Sequence, residues 1–343
     1  MPRTIFDLVK NNHIAAYWTT IGQEPSMTEE LFPAAKKLGL DLKWIRGAKG
    51  LSVVLKMSAF DTAAVPRGRI GFKEVFTEMP YHKESSYIDE ELRQQLNMVI
   101  SSGNQVLIDS IMTRVFDDEM RLLRGAYARR EQMRMMMLTT GIIAIVSNGQ
   151  EFTFDYGVEH KATSSLPWSD PDSDPLEDLR IGKDTIQEET GEIITRAMCD
   201  GLSWKNLRNN AKIKGMFFAN AYAPDAFISD DRLKSFISDQ LRLTVVINDN
   251  RYIDDDGDYT RYMPENTFVM FPSGALGNTW FGTTPQESDL MTASAANVSI
   301  VDTGVSITTV TKPDPVQVET IVSQICLPSF ERADSVYILD TAG

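Results

Sequence analysis

One uninterrupted apolar stripe at helical spacing constrains this chain more than any other feature. Ile108, Ile111, Met112, Val115, Phe116, Met120, Leu123 and Tyr127 recur at three- and four-residue steps. The pattern runs on through Met133 and Met137 to a stop at Thr139-Thr-Gly141. It predicts a single helix over about residues 104–138, a rod of roughly 50 Å at 1.5 Å per residue. The mean globular helix is about a third as long. A stripe of this length lies along a sheet or a neighbouring subunit. Arg114, Arg121, Arg124, Arg129, Arg130 and Arg134 fall on the opposite side, and the methionines at 133 and 135–137 read as adaptable packing residues.

The segments around this rod fall into distinct pieces. The first ~35 residues scatter Ile5, Phe6, Leu8, Val9, Ile14, Tyr17 and Trp18, too few for a core of their own. They read as an arm that docks on something else. Leu40–Trp44 and Leu51–Ser58 alternate in the strand period, and a further strand is expected at Phe72–Phe76. Together they predict a long hairpin with a loop-rich tip. Residues 40–75 hold seven basic side chains against Asp41, Asp61 and Glu74, a local +4 on a chain of net charge −14. That contrast suits an arm complementary to an acidic surface, and equally a solvated basic face.

A short helix is expected at Asp89–Ile100, before the long one. Strands Ile142–Val146 and Glu151–Tyr156 flank Ser147-Asn148-Gly149-Gln150, a hairpin signal. A Ser/Pro/Asp-rich stretch at 160–175 reads as a boundary. A mixed unit follows, with helices at 175–189, 203–212 and 224–240 and strands at 192–197, 215–219 and 242–248. Strands near 267–271, 298–301, 305–311, 317–326 and Ser335–Leu339 close the chain.

The search for chemistry returns little. His13, His82 and His160 have no His or Cys at metal-ligand spacing, and the two cysteines, Cys199 and Cys326, make neither a zinc site nor a disulfide framework. They read as thiols of a reducing compartment. No phosphate loop, dinucleotide fingerprint or nucleophile elbow is present. Ser273–Gly282 reads as a turn between strands. Asp254-Asp-Asp-Gly257-Asp258 fails the calcium-loop template at Tyr252 and Met263 and reads as an exposed hairpin tip between Leu243–Ile247 and Thr267–Met270. The carboxylates of Asp170–Asp178 read as a loop that caps a helix. The acidic balance excludes a dedicated nucleic-acid binder. No run reaches membrane-spanning length and the start has no signal-peptide core, so a soluble cytoplasm-made protein is expected.

Taken in order, these stretches resemble the major capsid proteins of tailed bacteriophages with the Hong Kong 97 fold, more narrowly the major capsid protein E family typified by phage lambda. The resemblance is carried by Leu42-Lys-Trp44, Ser58-Ala-Phe60, Arg67-Gly-Arg69 and Pro80-Tyr-His-Lys83, then by Arg129-Arg-Glu131-Gln-Met133 running into Gly141. Trp168-Ser-Asp170, Met263-Pro-Glu-Asn-Thr267, Ser273–Gly282, Lys312-Pro-Asp-Pro315 and Leu327-Pro-Ser-Phe330 complete it.

The resemblance implies an α+β chain of four parts: an N-arm at 1–38, an extended β-hairpin loop at 39–83, a peripheral domain with a spine helix at 84–165 and 265–343, and an α/β axial domain at 166–264. It implies a non-enzymatic major capsid protein with no cofactor or metal. Such a protein assembles with copies of itself as pentamers and hexamers around double-stranded DNA, in the virion head formed in the host cytoplasm. A separate scaffolding protein and a portal protein are the implied partners, with a decoration protein left open. Arg46, Lys49, Arg67 and Arg69 are the expected inter-subunit contacts. Arg121, Arg124, Arg129 and Arg130 are candidates for weak phosphate contact on the inner face. A cellular encapsulin-type shell enclosing cargo enzymes is the alternative, and a metal-dependent hydrolase built on Asp254–Asp258 and Asp170–Asp178 is a remoter one.

Overall fold

The computed structural model describes residues 11–21, 26–46, 73–88, 90–91, 94–95, 97–98, 105–218, 227–290, 297–313 and 316–343. Leu51–Ser58, Lys49, Arg67, Arg69 and most of the helix expected at Asp89–Ile100 lie outside the described residues. The chain forms two compact units. The first comprises Met1–Lys43, Phe76–Met133 and Asn278–Ser329, and the second Trp44–Val75, Arg134–Gly277 and Phe330–Gly343.

The first unit is built on a six-stranded sheet. Its strands are β1 (Ala34–Lys36), β4 (Tyr81–Ile88), β13 (Thr279–Phe281), β14 (Asn297–Val301), β15 (Val305–Pro313) and β16 (Val316–Pro328). The order is β1-β13-β16-β15-β14, and β4 also pairs with β16. Thirteen-residue β16 is the hub: it takes β15 along one edge and β4 and β13 along the other, all antiparallel. Val318, Thr320, Val322 and Gln324 alternate onto one face and are buried.

The predicted long helix, α3 (Gln105–Thr140), has 36 residues, about 54 Å. In this unit it buries Met120 and Leu123, and the Gln324 side-chain amide donates to the Ala126 carbonyl at 2.9 Å, tying β16 to the helix. The N-terminal segment departs from expectation. Helix α1 (Asn11–Ile21) packs on β14 and β15, burying Ile14 and Trp18, and after α2 (Met27–Leu31) strand β1 joins β13 in parallel. Its described part therefore covers its own chain's sheet. Ile14 and Trp18 stand four residues apart on one helical face, which is enough to seat on a sheet that needs cover.

In the second unit α3 stops at Gly141, whose φ is +72° and where a Cβ would lie 2.8 Å from Val158. Both the left-handed backbone and the close approach require glycine. β5 (Ile142–Ser147) and β6 (Gln150–Asp155) form the predicted hairpin, with Asn148 and Gly149 both at positive φ, as a two-residue turn of the primed type needs.

A five-stranded mixed sheet follows, from β7 (Lys161–Thr163), β8 (Ile194–Cys199), β9 (Thr244–Ile247), β12 (Thr267–Pro272) and β17 (Tyr337–Asp340), in the order β7-β17-β12-β8-β9. Four helices cover it: α4 (Pro175–Thr190), α5 (Gly201–Asn209), α6 (Ala211–Phe217) and α7 (Asp230–Leu241). Their inward residues Leu179, Ile186, Trp204, Leu207, Leu233 and Ile237 form one core with the strands and with Trp168. The Asp174 carboxylate caps α4 by accepting from the Glu177 amide, with Pro175 in the first turn, so the acidic loop does cap a helix. Asp200 is fully buried and caps α5 at Leu202 and Ser203 while accepting from the Thr267 amide of β12.

The described part of the expected strand at 215–219 is not a strand: 215–217 are the end of α6, and residue 219 lies outside the described residues. Asn210 breaks the helical path after α5 and its Oδ1 accepts from the amides of Lys212 and Ile213, restarting a helix. The run Met216-Phe217-Phe218 is too short for its period to tell helix from strand. The acidic turn at 254–258 closes a hairpin of β10 (Arg251–Ile253) and β11 (Tyr259–Arg261). The longer strands expected to flank it belong to the five-stranded sheet instead. Finally, β2 (Asp41–Arg46) pairs with β3 (Lys73–Glu78), the foot of the predicted basic hairpin.

Candidate functional site

Among the described residues no group of three His, Cys, Asp or Glu is placed to hold a metal, and no helix is long and apolar enough to cross a membrane. Cys199 and Cys326 are both buried; burial pushes the Cys199 thiol well up, away from the reactive thiolate. The acidic turn is committed to its own loop. Asp254 accepts from the amides of Asp258 and Asp256 and from the Thr260 hydroxyl, and these bonds, the Asp258 amide first, hold its carboxyl below the usual range.

The polar features that do converge hold the N-terminal segment onto the first unit. Ser26 and Thr28, at the start of α2, both donate to the buried Glu131 carboxylate of α3. The Trp18 indole N–H donates to Asp302 Oδ1 at 3.2 Å, and Arg130 pairs with the other oxygen at 3.1 Å. Asp302 stands in the β14–β15 turn with φ +51°. The Arg130 guanidinium also stacks on the rings of Tyr127 and Phe281, each 5.5 Å away. A cavity of about 450 Å³, lined by Trp18, Glu29, Tyr127, Arg130 and Asp302 among others, lies beside this network.

The strap should be separable from the fold. Glu131→Ala leaves two hydroxyls without their acceptor at a cost of about 1–3 kcal/mol. We expect limited proteolysis to release residues before β1 several-fold faster in this variant, with the rest of the chain intact. An unchanged cleavage rate would show that these bonds do not hold the segment.

The expected phosphate contacts separate into two kinds. Arg121 is exposed, 3.4 Å from Asp118 in an i,i+3 pair, and Arg124 is exposed as well. Arg129 is half-buried and donates to Gln132 at 2.8 Å. Arg130 is only 4% exposed and bound to Asp302, so within this chain it is a packing cation and not a phosphate ligand. Sequence periodicity placed it on the solvent side because its partner lies 172 residues away. Of the expected inter-subunit contacts, Arg46 ends β2, while Lys49, Arg67 and Arg69 lie outside the described residues.

The described surface also exposes large apolar side chains. Leu38, Leu40, Phe76, Tyr81 and Tyr87 are exposed on the first unit, and Phe227, Ile253 and Tyr259 on the second.

A spine helix laid on one sheet, a strapped N-terminal segment and an α/β unit are the architecture of a shell subunit of the Hong Kong 97 type. The profile of the phage major capsid protein E family matches residues 12–341, and the chain belongs to that family. It is a structural protein of the phage head shell, associating with its own copies into capsomers.

Solved structures carry the same fold. A phage-related protein from Bordetella bronchiseptica RB50 is 14% identical with a TM-score of 0.56, covering 97% of this chain and 98% of that one. A protein described as a prophage capsid protein, from E. coli CFT073, is 15% identical with a TM-score of 0.55 over 79% and 80% of the two chains. The capsid chain of cyanophage A-1(L) gives 8% and 0.52 over 92% of each. No curated protein sequence matches the chain. Family membership favours the phage head shell over a cellular nanocompartment.

Proposed function

We propose that this chain builds a closed icosahedral shell as pentamers and hexamers around double-stranded DNA, without a catalytic step. In this reading a scaffolding protein directs assembly, a portal protein occupies one vertex, and an outer decoration protein is compatible. The family match over residues 12–341 supports it. So does the second unit's set of exposed apolar residues, because head-to-tail contacts that close make rings, and rings of five and six tile a shell. The proposed parts are an N-arm at 1–38, an extended loop at 39–83 that contacts neighbours through Arg46, Lys49, Arg67 and Arg69, a peripheral domain at 84–165 and 265–343, and an axial domain at 166–264. The last borrows strands from its flanks, since β8 and β9 share their sheet with β7, β12 and β17.

Electron microscopy of the chain expressed with a scaffolding protein tests the reading. Closed shells with fivefold and sixfold capsomers are expected; a monodisperse monomer under every salt and scaffold condition overturns it. Arg67→Glu with Arg69→Glu should weaken assembly while leaving the subunit folded, and normal shells at low salt would remove those two residues from the interface.

Packaged DNA is proposed to touch the exposed Arg121 and Arg124 weakly. Reversing both to Glu should lower the slope of log binding against log salt by about 2. An unchanged slope removes them from any phosphate contact.

A further inference from the structure

Two surfaces of the second unit are each incomplete and complement one another. The first is the β10–β11 hairpin. Ile253 and Tyr259 stand directly opposite each other in its register and are 62% and 75% exposed. An apolar cross-strand pair so uncovered contributes little within the chain, and two-stranded hairpins are marginal in water. This one is nevertheless firmly built. Asp254 ties its turn, Tyr252 stacks on Tyr262 with ring centroids 4.8 Å apart, and at its root Asp249 accepts from both the Gly201 amide and Arg261. The turn presents a run of aspartates, with the side chains of Asp256 and Asp258 exposed.

The second surface lies on α5, α6, α7 and the residues just ahead of α7. Phe227 is 71% exposed, with the Arg208 guanidinium 4.9 Å over its ring and held there by Asp230. In the same first turn of α7 as Asp230, exposed Arg232 lies 5.7 Å over Phe217, which packs on Phe236. Aromatic rings with pre-set guanidinium groups are the composition of interface hot spots. The three helices carry six Lys and Arg against three Asp, whereas residues 251–261 carry four Asp against two Arg.

The two surfaces belong to opposite ends of α5. The hairpin is rooted at Gly201 and the aromatic patch gathers at Arg208, about 10 Å further along the axis. Neither covers the other within one chain, since both remain exposed.

We propose that the hairpin of one copy seats its Ile253–Tyr259 pair and acidic turn on the Phe227–Arg208–Arg232 patch of the next copy, as the head-to-tail contact that closes each ring. Different surfaces of one subunit meeting in this way make a heterologous contact, which propagates around a ring until it closes. Opposite charge sets the register and the apolar pair supplies the burial. The inference rests on the reading of the chain as a ring-forming shell subunit.

The experiment is a cysteine pair, Tyr259→Cys with Phe227→Cys, in the full chain assembled into shells and then oxidised. A covalent ladder is expected under denaturing, non-reducing conditions, with rungs ending at five and six copies; each single-cysteine variant should give none. A ladder that stops at two copies means an isologous contact and overturns the inference. Shells that assemble and do not crosslink overturn it too, while leaving the shell reading intact. Failure of the unsubstituted chain to form shells overturns that reading instead.

Charge reversal provides the second arm, should the cysteine pair block assembly. Asp256→Lys with Asp258→Lys, and separately Arg232→Glu, should each lower the shell yield at low salt about tenfold, and the three together should recover most of it. Additive losses without recovery count against the pairing.

Discussion

Met120→Asp is expected to abolish soluble, folded chain. Met120 lies on the sheet-facing side of α3 and is fully buried. The variant loses the packing of a long side chain and places an unpaired carboxylate under the sheet, together at least about 5 kcal/mol. The whole stability of a domain is roughly 5–15 kcal/mol, so the first unit should not survive. One residue along, Arg121→Asp makes a larger charge change on an exposed side chain whose partner is a surface i,i+3 carboxylate, and should cost little. The contrast between neighbours is the test, read as soluble yield and as hydrogen exchange over residues 116–124. Soluble Met120→Asp chain with native protection there would show that this side of α3 does not face the core.

The elements legible in the sequence are those whose signals are local. The stripe that predicts 104–138 returned as α3, Gln105–Thr140, because a periodic pattern and a Thr-Thr-Gly stop need no distant partner. The Asn148-Gly149 turn and the Asp174 cap on α4 were legible for the same reason. What escaped depends on partners far along the chain. β13 and β1 are three-residue strands that pair with each other and, through β13, with β16, far along the chain. β4 reads KESS at its centre and becomes a strand by pairing with residues 318–325 of β16. Arg130 and Glu131 are polar positions of a helix, assigned to solvent by any count of apolar spacing. They are buried because Asp302, Ser26 and Thr28 come to meet them. The exposed Ile253–Tyr259 pair is not legible because four aspartates lie between its members and give the stretch the composition of a cation loop.

Glu119 sets the second large effect, a dependence of stability on pH between ordinary carboxylate titration and neutrality. It is 2% exposed on α3, and its Oε2 has no hydrogen-bond partner among the described residues. Burial raises its pKa from 4.5 to about 7; the Thr320 hydroxyl of β16 pulls the other way, and the neighbouring Asp118 charge adds to the rise. Between those two values the folded chain keeps a proton that the unfolded chain has released. Stability is therefore greatest below pH 4.5 as far as this group is concerned, and is lost as pH rises through 7. The full loss is about 3 kcal/mol. Asp230, Asp254 and Glu319, whose pKa values are lowered, act with the opposite sign and only as pH falls through the acid range, so they do not mask this window. Glu119→Gln keeps the shape and removes the ionisation. Its urea midpoint should match the parent near pH 4 and exceed it clearly at pH 8, with the parent's exchange over residues 116–124 rising across the same interval and the variant's staying flat. Equal midpoints at both pH values would mean that the carboxyl reaches water or a cation in solution. If the difference is found, the spine helix is pressed to its sheet through an uncharged acid, and the tightness of that joint follows the pH at which a shell is assembled.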